Sequence, residues 1–136
     1  MGADKNGDTV WVGDFWGGNL AKIDIHTLKT TLYPYPKPTP GTYDVVVDSH
    51  HMVWANLFNG DAVARFDPKT ETWTEFPLPT RGVEMRHIAF TEQNGTTEII
   101  LSYFRAGKVA RMQFRTTEQL ESLQAQVRAA EVQAKK

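Results

Sequence analysis

The sequence predicts an all-β fold made of β-propeller blades, about three four-stranded antiparallel blades of an incomplete ring, followed by a C-terminal α-helix. Residues 10–15 (VWVGDF) return 43 residues later as 53–58 (VWANLF), and each copy is followed by a matching segment, 19–24 or 62–67. Short apolar runs alternate with turn residues along most of the chain. A period of forty-odd residues with four short strands is typical of a propeller blade. A ten-stranded β-sandwich, the alternative, gives no reason for a fixed period.

Composition excludes several classes of function. The chain has 136 residues, with 15 Lys and Arg against 16 Asp and Glu, so no net field would attract nucleic acid or an anionic membrane. No apolar run approaches the roughly 18 residues that span a bilayer. The absence of Cys excludes disulfides, thiolate zinc sites and cysteine nucleophiles. The N-terminus has no apolar signal core; the compartment stays open, and a periplasmic or secreted location is compatible with a longer protein.

The first blade is predicted at about residues 1–36. Alternation places strands at about 9–14, 20–25 and 29–34. Residues 1–4 align with 45–48 of the next repeat, so we expect them to form the end of a truncated first strand. Four prolines between residues 33 and 41 remove backbone donors and indicate a connector between blades.

The second blade, at about residues 42–79, is complete. Its strands are expected at about 43–48, 52–57, 62–66 and 72–76, with an Asn-Gly turn between the second and third. A second proline-rich connector follows. The aromatic pair Trp11 and Trp54 occupies one slot of the repeat, and we expect both side chains to lie in the core between blades.

The third blade, at about residues 85–115, has predicted strands at about 86–90, 97–103 and 108–114, and no fourth strand. A propeller ring needs about four to eight blades. We therefore expect residues 1–115 to be part of a longer propeller whose other blades complete the ring, or a unit that associates with itself to cover its apolar faces.

Residues 116–136 are predicted to form an amphipathic helix and a short tail. Thr116 and Gln119 have the spacing of a capping box. Apolar residues then recur at intervals of three and four, at Leu120, Leu123 and Val127. We expect this stripe to pack on the last blade; the alternative is pairing with another helix.

The repeated motifs resemble the streptogramin B lyase (virginiamycin B lyase) family. The resemblance is carried by residues 11–24, 54–67 and 73–79, where Val-Trp, a Gly-rich reversal, Ala-Arg-Phe-Asp-Pro and Trp-Thr-Glu-Phe-Pro-Leu-Pro occur in order. It implies a seven-bladed propeller, related to gluconolactonase-like (SMP-30-type) propellers. It also implies a lyase that opens a cyclic depsipeptide ester by elimination, with Mg²⁺ and a histidine general base. A non-catalytic propeller that binds or scaffolds other molecules is the alternative.

Candidate site residues lie on the channel face, defined here as the side of the blades where the loops entering each first strand meet the loops leaving each second strand. We expect a small-molecule ligand there. Glu84 and His87 are the carboxylate–imidazole pair suited to general acid–base catalysis. The alternative is that Glu84 pairs with Arg86 or Arg81 while His87 is a buried strand residue. The ligand-binding candidates are Asp14, Tyr43, Asp44, Asn56 and Arg86.

No metal site is predicted from the residues themselves. Asp48, His50 and His51 carry ligand atoms, but they share one turn between strands, and we expect that turn to be solvated. Magnesium is implied by the family resemblance alone.

Overall fold

Three antiparallel β-sheets follow one another along the chain in a computed structural model that describes residues 1–38, 41–93 and 96–134. In the first sheet the order is β1-β2-β3-β4, formed by Gly2–Ala3, Thr9–Asp14, Asn19–Asp24 and Thr30–Pro34. The second sheet has the order β5-β6-β7-β8, formed by Thr42–Val47, Val53–Leu57, Ala62–Asp67 and Thr72–Pro77. The third has the order β9-β10-β11, formed by Met85–Gln93, Thr96–Tyr103 and Lys108–Gln113.

These sheets confirm the predicted blade fold. The truncated first strand exists as β1, in which Gly2 pairs with Trp11. The largest departure is β9, which runs to Gln93 rather than ending near residue 90 because Glu92 and Gln93 continue to pair with β10. Residues 94 and 95, between β9 and β10 in the sequence, lie outside the described ranges, as do residues 39 and 40 of the first proline-rich connector.

The three sheets repeat one register. Asp14 pairs with Asn19, Leu57 with Ala62 and Tyr103 with Lys108, so the last residue of each second strand occupies one structural slot. Trp11 pairs with Lys22 in the first blade and Trp54 with Arg65 in the second, which confirms the 43-residue repeat as a structural one. Any residue of one blade can therefore be compared with its counterpart in the next.

The hydrophobic core lies between successive blades. Trp11 is 1% exposed and packs with Val45, Val53 and Phe66 of the second blade. Trp54 is 2% exposed and packs with residues of the third blade such as Ile99 and Leu101. Each fully buried large side chain stabilises the fold by about 1.5–3 kcal/mol relative to exposure. Trp11 and Trp54 are core residues between blades, as predicted.

The first two blades touch closely at Gly13. A Cβ atom at this position would lie 2.5 Å from the carbonyl oxygen of Thr42, so only glycine fits without displacement of backbone. The Thr42 hydroxyl also donates to the carbonyl oxygen of Asn19 at 2.6 Å. These contacts fix the start of β5, and with it the neighbouring residues Tyr43 and Asp44, against the first blade.

The helix α1 spans Thr117–Ala134, and its N-terminus has the predicted capping box. The backbone N–H of Gln119 donates to the Thr116 hydroxyl at 3.2 Å, and the Gln119 side-chain oxygen accepts from the N–H of Thr116 at 3.0 Å. The prediction that the helix packs on the last blade is wrong, because no residue of α1 is buried. Its apolar stripe ends in alanines and is too narrow to cover a blade. Lys135 and Lys136 lie beyond the described part of the tail.

Candidate functional site

The channel face is held together by hydrogen bonds between the connectors and the turns. The carbonyl oxygen of Gly41, in the first connector, accepts from the N–H of Phe58 at 2.9 Å. In the second connector the N–H groups of Gly82 and Val83 donate to the carboxylate of Asp61, which lies in the turn between β6 and β7, at 2.8 and 3.0 Å. These hydrogen bonds fix Gly41, Gly82 and Val83 just before β5 and β9, where the predicted site residues lie.

Asp44 and His87 come together across the second and third blades. The imidazole Nδ1 of His87 lies 3.4 Å from the Asp44 carboxylate, which also accepts from the backbone N–H groups of Val45 and Ile88 at 3.0 and 3.2 Å. The Asp44 side chain is 20% exposed and that of His87 is 75% exposed. A fixed carboxylate next to Nδ1 would leave Nε2 of an accessible imidazole free to accept a proton. His87 is thus not the buried strand residue of the alternative interpretation.

Asn56 supports this pair from beneath. Its side chain is fully buried; the side-chain oxygen accepts from the N–H of Asp44 at 2.5 Å, and the amide nitrogen donates to the carbonyl oxygen of Met85 at 2.6 Å. Asn56 thus joins β5 to β9. It fixes the distance between Asp44 and His87 instead of presenting a polar group to a ligand.

Arg86 and Tyr43 flank His87 on the surface. The Arg86 guanidinium lies 3.8 Å from the ring centroid of Phe104, a cation–π contact. The Tyr43 ring is 41% exposed and meets the His87 ring edge-on at 6.1 Å. A cleft of about 430 Å³ opens beside Arg86, His87 and Phe104. That volume suits a ligand of drug-like size.

Glu84 is directed elsewhere. Its carboxylate lies 2.7 Å from Nη1 of Arg105, so its ion-pair partner is neither Arg81 nor Arg86. Within the described ranges no hydrogen bond or ion pair joins Glu84 to His87, although the two are three residues apart. The backbone of Glu84 has φ of 46°, and its repeat counterpart Gly41 has φ of 64°. This left-handed conformation is costly for a residue with a Cβ atom.

Asp14 serves the turn that follows β2. Its carboxylate accepts from the Asn19 amide at 2.8 Å and from the N–H of Gly17 at 2.9 Å. The Asn19 hydrogen bond, followed by that of Gly17, lowers the pKa of the Asp14 carboxyl. The side chain is ionised and engaged within its own hairpin.

An aromatic row lies on the channel face, and Tyr43 is the one member of it among the candidates predicted from sequence. Phe15 meets Tyr43 at 5.7 Å and Phe58 at 5.3 Å, and Tyr43 stacks on Phe58 at 5.6 Å. Trp16, at one end of the row, is 87% exposed. Phe15, Phe58 and Phe104 each follow the last residue of the second strand in their blade, so the repeat itself could have revealed them. Such surfaces bind flat or apolar ligand groups.

The carboxylates of the channel face do not fit a magnesium site. Mg²⁺ requires near-octahedral oxygen ligands, whereas Asp14, Asp44 and Glu84 are each occupied by donors or cations of the chain. Among the residues the structure covers, one group of potential metal ligands clusters at the opposite ends of the blades. It consists of Asp48 and His50, in the turn after β5, and Glu92, near the end of β9. There Glu92 accepts from Ser49 and faces Lys5 at 3.2 Å, so its charge is already balanced. A larger cleft, of about 520 Å³, lies beside this turn, and its lining includes neither Asp44 nor His87.

Comparison with solved structures identifies the architecture. The chain superposes on a catalytically inactive histidine-to-alanine form of virginiamycin B lyase from Staphylococcus aureus, with quinupristin, at a TM-score of 0.70 and 18% identity. The alignment covers 87% of this chain and 37% of the lyase. The fold is that of the streptogramin B lyases.

Two further lyase structures agree. Selenomethionine-substituted virginiamycin B lyase from S. aureus matches at a TM-score of 0.66 and 20% identity, covering 85% of this chain and 40% of that one. A streptogramin B lyase matches at 0.64 and 19% identity, covering 80% and 38%. The chain thus spans about two fifths of the length of the lyases it matches. No protein-family model and no characterised protein sequence matches it.

A more distant neighbour is the extracellular domain of a hybrid two-component system protein from B. thetaiotaomicron. It matches at a TM-score of 0.53 and 16% identity, over 85% of this chain and 16% of the other. Among the described residues, no helix is long and apolar enough to cross a membrane.

Proposed function

We propose that the channel face binds a small cyclic ester or lactone-like molecule and that His87 opens it by elimination. The observation that supports this is the Asp44–His87 pair, an exposed imidazole backed by a fixed carboxylate beside a cleft of about 430 Å³. The shared fold supports the choice of substrate class, because the lyases matched above include one with quinupristin. The aromatic row would bind the apolar side chains of such a ring.

The proposed step is proton abstraction followed by ring opening. Nε2 of His87 accepts a proton from the carbon next to the one that bears the ester oxygen. The C–H electron pair forms a carbon–carbon double bond, and the C–O bond breaks with its electrons passing to a carboxylate. Arg86, held over Phe104 within the same cleft, would stabilise the negative charge on that carboxylate.

Asp44 is a positioning residue in this proposal. Its carboxylate is fixed by the N–H groups of Val45 and Ile88, and it would hold His87 with Nδ1 inward and stabilise the imidazolium formed on proton transfer. Among the channel-face residues that the structure describes, no set of free carboxylates would hold the magnesium that the family resemblance implies. The proposed step uses the side chains of His87, Asp44 and Arg86.

The test is incubation of the 136-residue chain with a type B streptogramin, with and without magnesium, followed by chromatography and mass spectrometry. Elimination yields a linear product of unchanged mass with a new double bond, whereas hydrolysis adds one water. His87→Gln should abolish product formation, and Asp44→Asn should reduce it and shift its pH profile. His50→Gln, at the opposite ends of the blades, is the matched control. Absence of any linear product would refute catalysis by this segment.

The second candidate is a non-catalytic binding module, which the state of the channel-face carboxylates favours. Glu84 is bonded to Arg105 and Asp14 to Asn19, so these carboxylates stabilise the structure of the surface instead of being free for catalysis. The aromatic row alone would then bind the ligand. Binding measured by quenching of Trp16 fluorescence, without ring opening and unaffected by His87→Gln, would favour this candidate over the lyase.

Further blades are the expected partners of this segment. Val109 is 76% exposed, whereas its repeat counterparts Leu20 and Val63 are 0% exposed because the following blade covers them. A fourth blade on this face, from a longer chain or from a second copy, would bury Val109 in the same way. The 136-residue chain alone should therefore self-associate in gel filtration. A stable monomer would contradict this expectation.

A further inference from the structure

The third blade has a free edge where the other two have a strand. In the first blade β4 covers β3, and in the second β8 covers β7, but β11 is the edge of its sheet within the described part of the chain. The counterpart of β11 is β7, since Lys108 pairs with Tyr103 as Ala62 pairs with Leu57. The second blade therefore shows what the missing neighbour of β11 would look like.

A groove runs along this free edge. It has a volume of about 460 Å³ and lies between Leu78 of the second connector and Tyr103, Ala110 and Met112 of the third blade. In the preceding pair of blades the same place is filled by Trp73 of β8. The Trp73 ring lies 5.0 Å from that of Tyr35 and 4.9 Å from that of Phe66. Tyr35 is the repeat counterpart of Leu78, and Phe66 that of Met112.

We propose that this groove binds an extended segment of another polypeptide, which pairs antiparallel with β11 and inserts an aromatic side chain between Leu78 and Met112. The backbone of the segment would add a strand to the open edge of β11. The groove would recognise every second side chain, because alternate side chains of a strand lie on the same face. The register is set by the second blade, where Trp73 lies opposite Phe66 and Phe76 opposite Val63. The inserted aromatic residue therefore lies opposite Met112, with a second apolar residue opposite Val109.

The groove also contacts a second position of the bound segment, two residues after the inserted aromatic residue and on the same face of the strand. In the second blade this residue is Glu75, opposite Ala64, and its carboxylate accepts from the Tyr35 hydroxyl and from Lys37 at 2.7 Å. The counterparts of Tyr35 and Lys37 at the next groove are Leu78 and Thr80, which supply no cation. The residue of the bound segment that lies opposite Ala110 is therefore apolar, where the second blade has a glutamate.

A second copy of β11 is a poor occupant of the same edge. Lys108 and Arg111 lie on this strand, and antiparallel pairing of two copies would bring four cationic side chains together. A neutral or acidic strand with alternating apolar residues matches the edge better. The chain holds a model of it in residues 69–79, which include β8.

The binding test uses a fluorescein-labelled peptide of residues 69–79 added to the intact 136-residue protein, with anisotropy as the readout. Saturable binding is expected, the peptide with Trp73→Ser should bind at least about tenfold more weakly, and that with Glu75→Leu should bind more tightly. These comparisons use unchanged protein, so they do not depend on the folding of a variant. Absence of saturable binding, or equal affinity of all three peptides, would overturn the proposal.

A pair of protein variants locates the binding surface. Ala110→Glu places a charge in the groove and should abolish binding. Ala21→Glu makes the same change at the repeat counterpart in the first blade, where β4 already covers the edge, and should leave binding intact. Both variants are checked by circular dichroism. Equal effects of the two substitutions, or a β11-dependent dimer that the peptide fails to dissociate, would exclude this groove as a peptide site.

Discussion

Replacing Trp54 by Phe should destabilise the protein more than the same replacement at Trp11, although the two residues occupy one slot of the repeat. Both side chains are almost fully buried, at 2% and 1% exposure. Truncation of the indole to a phenyl ring therefore removes about the same apolar contact at each site. The sites differ in one interaction. The Trp54 Nε1 donates to the Asp48 carboxylate at 2.8 Å, whereas the Trp11 Nε1 has no acceptor among the described residues.

The magnitude follows from that difference. A hydrogen bond to a charged group contributes about 1.5–3 kcal/mol, and its loss at position 54 leaves a carboxylate oxygen of the 4% exposed Asp48 without its donor. At position 11 the replacement removes a buried donor that has no acceptor, which offsets part of the packing loss. We expect Trp54→Phe to lose at least about 2 kcal/mol more than Trp11→Phe, or about 6 °C in Tm for a chain of this size.

Thermal and urea unfolding followed by far-UV circular dichroism measure this difference without relying on tryptophan fluorescence. Equal losses at the two positions would show that the Asp48 hydrogen bond contributes nothing net. A larger loss at Trp11 would refute the reasoning entirely, because it would mean that the Trp11 indole N–H is satisfied in solution and that of Trp54 is not.

Gly13→Ala should lower the free energy of unfolding by about 1–3 kcal/mol, since the added Cβ would meet the carbonyl oxygen of Thr42 at 2.5 Å; an unchanged urea midpoint would contradict this close approach. The Glu75 carboxyl has its pKa lowered, first by the hydrogen bond from Lys37, so its stabilising effect is complete above the ordinary glutamate pKa and is lost as pH falls through the lowered value. The Tm difference between wild type and Glu75→Gln should therefore shrink below about pH 4, and a constant difference would argue against the ion pair. Removal of residues 117–136 should leave the Tm of the blades unchanged, because no residue of α1 is buried, and a clear drop would reveal a contact of the helix in solution.

The fold could be predicted from the sequence because the repeat constrains it twice. Each copy alternates apolar and polar residues in the same way, and the copies agree with one another at a fixed offset. A strand whose bounds are ambiguous in one copy can therefore be assigned from its counterpart in the other. The position of α1 could not be predicted in this way. Its stripe of Leu120, Leu123 and Val127 has the spacing of a buried helix face, but packing depends on a complementary surface, and a single helix carries no repeat that would identify one.

The candidate site was only partly predictable for a related reason. Glu84 and His87 are close in sequence, yet the left-handed backbone at Glu84 directs its side chain to Arg105. Asp44 was among the ligand-binding candidates, but its contact with His87 depends on how two blades pack. Phe15, Phe58 and Phe104 recur in the repeat, but the contact between Phe15 and Phe58 depends on how the first two blades pack.

The repeat nevertheless supplies a rule that accounts for the contact between Asp44 and His87. Asp44 and His87 are 43 residues apart and occupy the same slot in consecutive blades. Blades arranged around a common channel bring equivalent slots next to each other, so a residue of one blade meets its own counterpart in the next. A carboxylate in one copy and an imidazole in the following copy therefore become a pair through divergence of a single slot, with no change in fold. By the same rule, a fourth blade packed on the third would place the corresponding slot of that blade next to His87. The chemistry of the residue there would decide whether the imidazole acts as a base or only as part of a binding surface.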